Sequence, residues 1–230
     1  MSQQNNLSHG ILLLNKPLHK SSFYLVHILR KLTGIQKIGH AGTLDPLATG
    51  VMVMLVGKTY TTKSDLFLND DKEYEVVISL GSSTTTYDKE GEIVEQSPLI
   101  PSLDAIQNAL KNFQGVCTQT PPMFSAKKQN GKRLYEMARK GIDVKRESQQ
   151  VTLHTEFISY NYPDLKLYVR CSKGTYIRSI AQDLGKELGC FGHVNTLTRT
   201  RSGRFQIQDC LDISSLLEPN FSYTDHLQRL

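Results

Sequence analysis

The longest uninterrupted apolar run in this 230-residue chain, residues 51–56, is six residues long, and the run at residues 11–14 is four. A helix that crosses a bilayer needs about 20 mostly apolar residues, so no segment qualifies. Runs this short have the length of buried β-strands. The polar start, residues 1–8, lacks a basic segment followed by a hydrophobic one, so a cytoplasmic protein is expected. With 39% hydrophobic and 21% charged residues, the chain can bury a real core without staples. Cys117, Cys171, Cys190 and Cys210 form no C-x-x-C pair, and the seven histidines show no paired ligand spacing. Reduced core thiols and no metal are therefore expected.

The periodicities alternate between strand and helix. After a tail over residues 1–9, residues 10–15 read as a strand, and Ser22 can cap a helix to about Thr33 that Gly34 ends. Tyr74, Val76 and Ile78 alternate with polar residues, as in a half-buried strand, and Ile93 and Val94 start its expected return strand. Leu103, Ile106, Ala109, Leu110 and Phe113 fall at helical spacing behind Pro101 and Ser102. Residues 131–141 read as a short basic helix, residues 151–160 and 165–171 as strands joined by a turn, and residues 174–189 as a helix. Residues 211–230 suggest a terminal helix and tail. No repeat or long linker divides the chain, so an α+β fold is expected, with a mixed, mainly antiparallel sheet flanked by helices.

The net charge of +5 is clustered. Lys127, Lys128, Lys132, Arg133, Arg139, Lys140, Lys145 and Arg146 form one basic stretch, and Arg199, Arg201 and Arg204 another. A polyanionic partner is plausible on that ground, although solvated cations are ordinary on any surface.

The densest unusual stretch is Gly39-His40-Ala41-Gly42-Thr43-Leu44-Asp45-Pro46-Leu47-Ala48-Thr49-Gly50. Its glycines permit backbone conformations that a Cβ resists, and so permit close approach to a ligand. An isolated Leu-Asp-Pro would be a simple turn with Asp45 bonded to nearby amides. The stretch is no P-loop, because no Gly-Lys-Ser/Thr closes it, and its glycine spacing is not that of a dinucleotide loop.

Gly39-His40-x-Gly42-x-Leu44-Asp45-Pro46-x-Ala48-x-Gly50 resembles the catalytic motif of the TruB family of tRNA pseudouridine synthases. Four further segments match that family in order. They are Gly10-Ile11-x-x-x-Asn15-Lys16-Pro17 with Ser21-Ser22, and Lys72-x-Tyr74 with Leu80-Gly81 and Asp88-x-x-Gly91. The third runs from Gln119-x-Pro121-Pro122 through Ser125-Ala126-x-Lys128 to Arg139-x-Gly141, and the fourth is Cys171-Ser172-Lys173-Gly174-Thr175-Tyr176-Ile177-Arg178 with Asp183-Leu184-Gly185. The resemblance implies a pseudouridine synthase catalytic domain over residues 10–210. It implies a tRNA isomerase acting on uridine-55 in the T-loop, with the T-arm as its partner, no cofactor, and no protein partner for an expected monomer.

Making pseudouridine breaks the C1′–N1 bond, turns the uracil and rejoins it through C5, without oxidation or hydrolysis. The resemblance assigns the essential carboxylate to Asp45, which can act as nucleophile at C1′ or C6 or as base at C2′. It assigns Arg178 to pair with and direct that carboxylate, and Tyr74 to stack on the base and exchange a proton. His40 corresponds to a histidine that takes the place of the extruded base, and Tyr176 and Leu197 to positions lining the pocket. Lys127 and Lys128, with Lys132 and Arg133, fall where the family clamps the tRNA arm, and Lys16 and Pro17 are expected to buttress the active-site loop. The arginines 199, 201 and 204 are expected to meet phosphates as well. Family members usually carry a small RNA-binding domain of the PUA type, and the residues after Gly203 are too few for one. A synthase acting on ribosomal RNA and a non-catalytic tRNA-folding helper remain as alternatives.

Overall fold

The computed structural model describes residues 8–129 and 131–230; of the expected tail, residues 1–7 lie outside the described residues. In chain order the elements begin with β1 (Gly10–Lys16), α1 (Ser22–Thr33), β2 (Ile38–His40), β3 (Ala48–Val56), α2 (Lys58–Thr61), α3 (Asp65–Leu68) and β4 (Lys72–Leu80). There follow β5 (Ser82–Thr84), β6 (Ile93–Gln96), α4 (Leu103–Leu110), β7 (Gly115–Gln119), β8 (Lys128–Gln129), β9 (Lys132–Arg133) and α5 (Leu134–Ala138). The last are β10 (Gln149–Asn161), β11 (Asp164–Cys171), α6 (Ile177–Glu187), β12 (Gly192–Ser202), β13 (Phe205–Gln206) and β14 (Leu211–Asp212). They form two compact units: the residues up to Tyr74 with Leu197–Leu230, and Glu75–Thr196.

In the first unit the strands run β14-β1-β3-β12, with β2 added to β3 and β13 to β12. β1 and β3 pair antiparallel, Ile11 opposite Leu55 and Leu13 opposite Val53. These side chains share one face and pack with Ala41, Val51, Tyr60, Phe67 and Phe205. The alternate residues Leu12, Leu14, Met52 and Met54 are buried too. Burial on both faces explains why these two segments read as unbroken apolar runs rather than alternating ones. Each such side chain contributes about 1.5–3 kcal/mol by leaving water. α1 follows, with Leu25, Val26 and Leu29 buried. Its C-terminus is Gly34 at φ 71°, whose N–H donates to the Arg30 carbonyl, a left-handed cap that glycine takes without steric cost.

In the second unit the order is β4-β11-β10-β7. β10 pairs antiparallel with both β11 and β7, and the inward residues Leu165, Leu167 and Val169 alternate with less buried neighbours. α4 is capped by the Ser102 hydroxyl, which accepts from the Ala105 N–H, and buries Ile106, Ala109 and Leu110. α6 buries most of its surface. It can approach the start of β12 because Gly185 has no Cβ; one placed there would lie 2.2 Å from the Gly192 nitrogen. The mixed, mainly antiparallel sheet with helices is the α+β fold expected.

Several boundaries differ from expectation for local reasons. The cap of α1 is Ser21, whose hydroxyl accepts from the Tyr24 N–H; Ser22 is already in the helix and its hydroxyl is used elsewhere. The basic helix expected over residues 131–141 is only Leu134–Ala138, because Lys132 and Arg133 pair with Gln129 and Lys128 as a short ribbon. β6 pairs with β5 rather than β4, and Ile93 and Val94 stay 58% and 55% exposed. The α-helix expected in residues 211–230 is absent: Leu211 and Asp212 pair in parallel with Leu14 and Asn15, and 3-10 turns at Ser215–Leu217 and Tyr223–His226 follow. Pro219 and the return of Gln228 to Ile11 leave no room for a continuous helix.

Gly50 sits opposite Arg199 in the parallel β3/β12 pair. It has φ +103°, and a Cβ there would lie 2.2 Å from the Arg199 carbonyl oxygen. Gly50→Ala is expected to cost at least about 3 kcal/mol through backbone strain and overlap, read as a lower urea midpoint with unchanged slope. A midpoint equal to that of the unaltered protein would show that the strand pair tolerates the shift.

Candidate active site

In the first unit, Asp45 stands on the turn between β2 and β3, half-buried. The turn closes through the Ala48 N–H, which donates to the Asp45 carbonyl at 3.0 Å. Three side chains fix its backbone. Ser22 accepts from the Leu44 N–H at 2.9 Å and donates to the Leu44 carbonyl at 3.0 Å, so one hydroxyl at the start of α1 satisfies both main-chain groups beside Asp45. Lys16, fully buried, donates from Nζ to the carbonyls of Pro17 at 2.9 Å, Lys20 at 2.5 Å and Pro46 at 3.3 Å. The His19 N–H also meets the Pro46 carbonyl, at 2.8 Å. Lys16 thus reaches the loop through the Pro46 carbonyl, and Pro17 supplies Lys16 with one of its acceptors.

Arg199 is the third group. Its side chain is 1% exposed, donates from Nε to the Val51 carbonyl at 2.8 Å and reaches the Gly42 carbonyl at 3.3 Å. It cannot meet an RNA phosphate as expected, because its fork is spent on the loop's own backbone. Arg201 is also engaged, pairing with Glu73 and donating to the Gly203 carbonyl, whereas Arg204 is exposed beside Phe205. Composition could not reveal that Arg199 is interior; the signal was its place in β12 two residues after Leu197, on the same buried face.

His40 ends β2 and is half-buried, with Nδ1 shut off from solvent and without a hydrogen-bond partner. Burial lowers its pKa, and the positive charge of Arg199 lowers it further, so the ring is neutral at pH 7. Leu197 lies opposite Ala48 in β12, 6% exposed. Tyr74 on β4 is 8% exposed.

In the second unit, Arg178 lies in the first turn of α6, 4% exposed. It donates to the carbonyls of Thr86 at 2.9 Å and Phe124 at 2.8 Å, and its Nε is 3.7 Å from the Asp88 carboxylate. Asp88 is held in turn by the Thr86 hydroxyl at 2.6 Å and the Glu90 N–H at 3.0 Å. A buried arginine bound on several sides is locked in direction. The sequence marked Asp88 within a motif but gave it no role. Gln119 was missed in the same way: its side chain accepts from the Tyr176 N–H at 2.8 Å and donates to the Tyr176 carbonyl at 3.0 Å, fixing the residue just before α6.

Lys127 is half-buried and donates to Gln149 at 2.9 Å, and Gln149 donates to the Gly174 carbonyl at 2.6 Å. It therefore ties the basic segment to the loop before Tyr176. Lys128, opposite Arg133, is exposed. Among the described residues no cluster of three or more His, Cys, Asp or Glu could hold a metal ion.

Two measurements test this geometry. Ser22→Ala leaves the Leu44 N–H and carbonyl without their partner, and is expected to cost about 1–3 kcal/mol in denaturant unfolding; a loss under a few tenths would mean the loop finds other partners. His40 should titrate below the ordinary value of 6.5 when followed by NMR. Because its folded-state pKa is depressed, the unfolded chain binds that proton more readily. The His40 contribution to stability is therefore complete above about 6.5 and is lost as pH falls from there toward the folded-state value. A value at or above the ordinary one would contradict the burial of the ring.

Residues 30–177 match the family model described as TruB family pseudouridylate synthase (N terminal domain). Residues 178–229 match that of the tRNA pseudouridylate synthase B C-terminal domain. The chain is 60% identical over 203 residues to the tRNA pseudouridine synthase B of Protochlamydia amoebophila, covering 88% of this chain and 78% of that protein. It is 51% identical over 222 residues to the tRNA pseudouridine synthase B of Chlamydia pneumoniae, covering 96% and 94%. Among solved structures it is similar to a chain of a Cbf5-Nop10-Gar1 complex, with a TM-score of 0.73 and 25% identity, over 98% of this chain but only 61% of that one. An H/ACA RNP bound to a substrate RNA containing 2′-deoxyuridine holds a chain of the same fold, with a TM-score of 0.67 and 22% identity over 94% of this chain and 54% of that one. The two family models together match residues 30–229 and the relatives match most of the chain, so the chain belongs to the TruB family of pseudouridylate synthases.

Proposed function

We propose that this protein isomerises a uridine of tRNA to pseudouridine, and that its target is uridine-55 of the T-loop. The observation that supports this reading best is the Asp45 turn, a carboxylate whose neighbouring backbone is fixed by Ser22, Lys16 and Arg199 in a chain of the TruB family. Relatives named tRNA pseudouridine synthase B over most of their length favour tRNA as the substrate.

The chemistry moves the uracil from N1 to C5. The C1′–N1 bond breaks, a C1′–C5 bond forms, the C5 proton leaves and N1 gains one, so the reaction balances without oxidant, water or energy source. On this reading Asp45 in its ionised form is the nucleophile or base, working from a turn that does not have to reorganise. Tyr74 supplies a flat face for the flipped base and a hydroxyl for proton exchange. Arg178 serves as the third catalytic residue. His40, neutral and flat, occupies the place the base vacates, Tyr176 and Leu197 line the base pocket, and Lys128 meets a phosphate of the T-arm. The catalytic residues all fall within residues 10–210.

The test is to incubate purified protein with unmodified tRNA and map pseudouridine by position. Asp45→Asn keeps the size of the side chain and removes its charge. Turnover is expected to fall by more than about a hundredfold, with tRNA affinity within about threefold. Pseudouridine at another position would overturn the T-loop assignment, and activity above about a hundredth of the original would overturn the role of Asp45.

A further inference from the structure

Between residues 17 and 64 the chain carries six basic side chains, Lys20, Arg30, Lys31, Lys37, Lys58 and Lys63, and a single acid, Asp45. This imbalance is separate from the basic stretch of the second unit, and two of its members, Arg30 and Lys37, line a cavity. About 340 Å³ opens among Arg30, Gln36, Lys37, Ile38, Gly39 and Thr61, all within the first unit.

The walls of this cavity call for an anion. Arg30 lies with its guanidinium 5.7 Å from the ring centre of Phe23, and its Nε is shut off from solvent without a hydrogen-bond partner. Its place in the last turn of α1 suits the negative end of the helix dipole, which accounts for a cation there. It does not account for a buried donor left unanswered, and such donors are rare. Lys37 is exposed and forms no ion pair among the described residues. Its carbonyl accepts from the Gly57 N–H at 2.8 Å, which fixes the main chain under the side chain. Gly39 lines the floor, where even a Cβ would make only ordinary contact with Thr61 at 3.5 Å. The Gln36 amide adds a neutral donor, and no carboxylate lines the cavity. An arginine fork and an ammonium over an acid-free hollow match a group that only accepts hydrogen bonds and carries negative charge, as a phosphodiester does.

We propose that this cavity seats a backbone phosphate of the RNA substrate, with Arg30 and Lys37 as its contacts. The assignment rests on the RNA-modifying reading above. It fits the chain order, because Gly39 at the cavity floor immediately precedes His40, the residue assigned to the vacated base position.

The test titrates the unaltered protein, Arg30→Gln, Lys37→Gln and the double variant with labelled, unmodified T-arm RNA at several salt concentrations, and reads pseudouridine yield at saturating RNA. The double variant is expected to bind roughly tenfold more weakly at low salt, with the slope of log affinity against log salt reduced by about one and kcat within about twofold. Arg30→Lys should recover part of the loss. Lys111→Gln, which removes an exposed charge of the second unit that meets only Asn108, should leave the slope unchanged. Unchanged affinity and slope in both single variants would overturn the proposal, as would an equal slope change in Lys111→Gln, which would mean diffuse charge alone. Lys37 is exposed, so its variant remains a valid test even where Arg30→Gln unfolds, which a melting curve reveals. Binding is read without turnover: absence of pseudouridine from the unaltered protein would refute the enzymatic reading, and the slope comparison would still decide the cavity.

Discussion

Two cations taken out of water hold the turn that carries Asp45. Lys16 and Arg199 are 0% and 1% exposed, and a charge in a medium of low dielectric needs its lost hydration replaced. Here main-chain oxygens contribute to that replacement: Pro17, Lys20 and Pro46 around Lys16, Val51 and Gly42 around Arg199. The carbonyls of the loop are therefore ligands of a buried cation. Moving the loop would strip a cation of its oxygens, a change on the scale of several kcal/mol. A short segment rich in glycine, which would otherwise be soft, is made stiff by its neighbours' charge.

The second unit solves the same problem in another way. Arg178 is buried, and carbonyls of Thr86 and Phe124 share its guanidinium with the Asp88 carboxylate. Asp88 is itself bonded by a hydroxyl and a main-chain N–H, so each member has more than one restraint. Gln119 does for the backbone of Tyr176 what Ser22 does for that of Leu44. In both places one side chain with a donor and an acceptor satisfies an N–H and a carbonyl together. Preorganisation of this kind is what a group acting on a developing charge requires.

Much of this was legible in the sequence, and the part that was not follows a pattern. The strands at residues 51–56 and 74–80 were visible because their side-chain period is set by which faces are buried. The Asp45 turn was visible because its glycines and Asp-Pro are local chemistry. What escaped were roles set by long-range contact. Arg199 looked like a surface cation because charge alone says nothing of depth, and only the carbonyls of residues about 150 positions earlier make its burial tolerable. Ser21 and Ser22 look alike as caps, and the choice was made by Leu44, 22 residues away. The end of the chain resisted for a related reason: residues 211–230 take their shape from β1, to which Leu211, Asp212 and Gln228 return.

That return has a consequence for how the protein is made. The first unit is assembled from both ends of the chain, whereas Glu75–Thr196 is continuous. The continuous unit is synthesised before the rest of β12, from Leu197, and before β13 and β14, and domains generally fold as units during synthesis. The strand bearing Lys16 emerges long before Leu211 and Asp212, so its pairing with them must wait for them. The Gly42 and Val51 carbonyls wait as well, since Arg199 arrives some 150 residues after them. Until then the Asp45 turn exists as sequence without its buried arginine, so the rigid form of the site is a late product of synthesis, complete only once Arg199 has joined it.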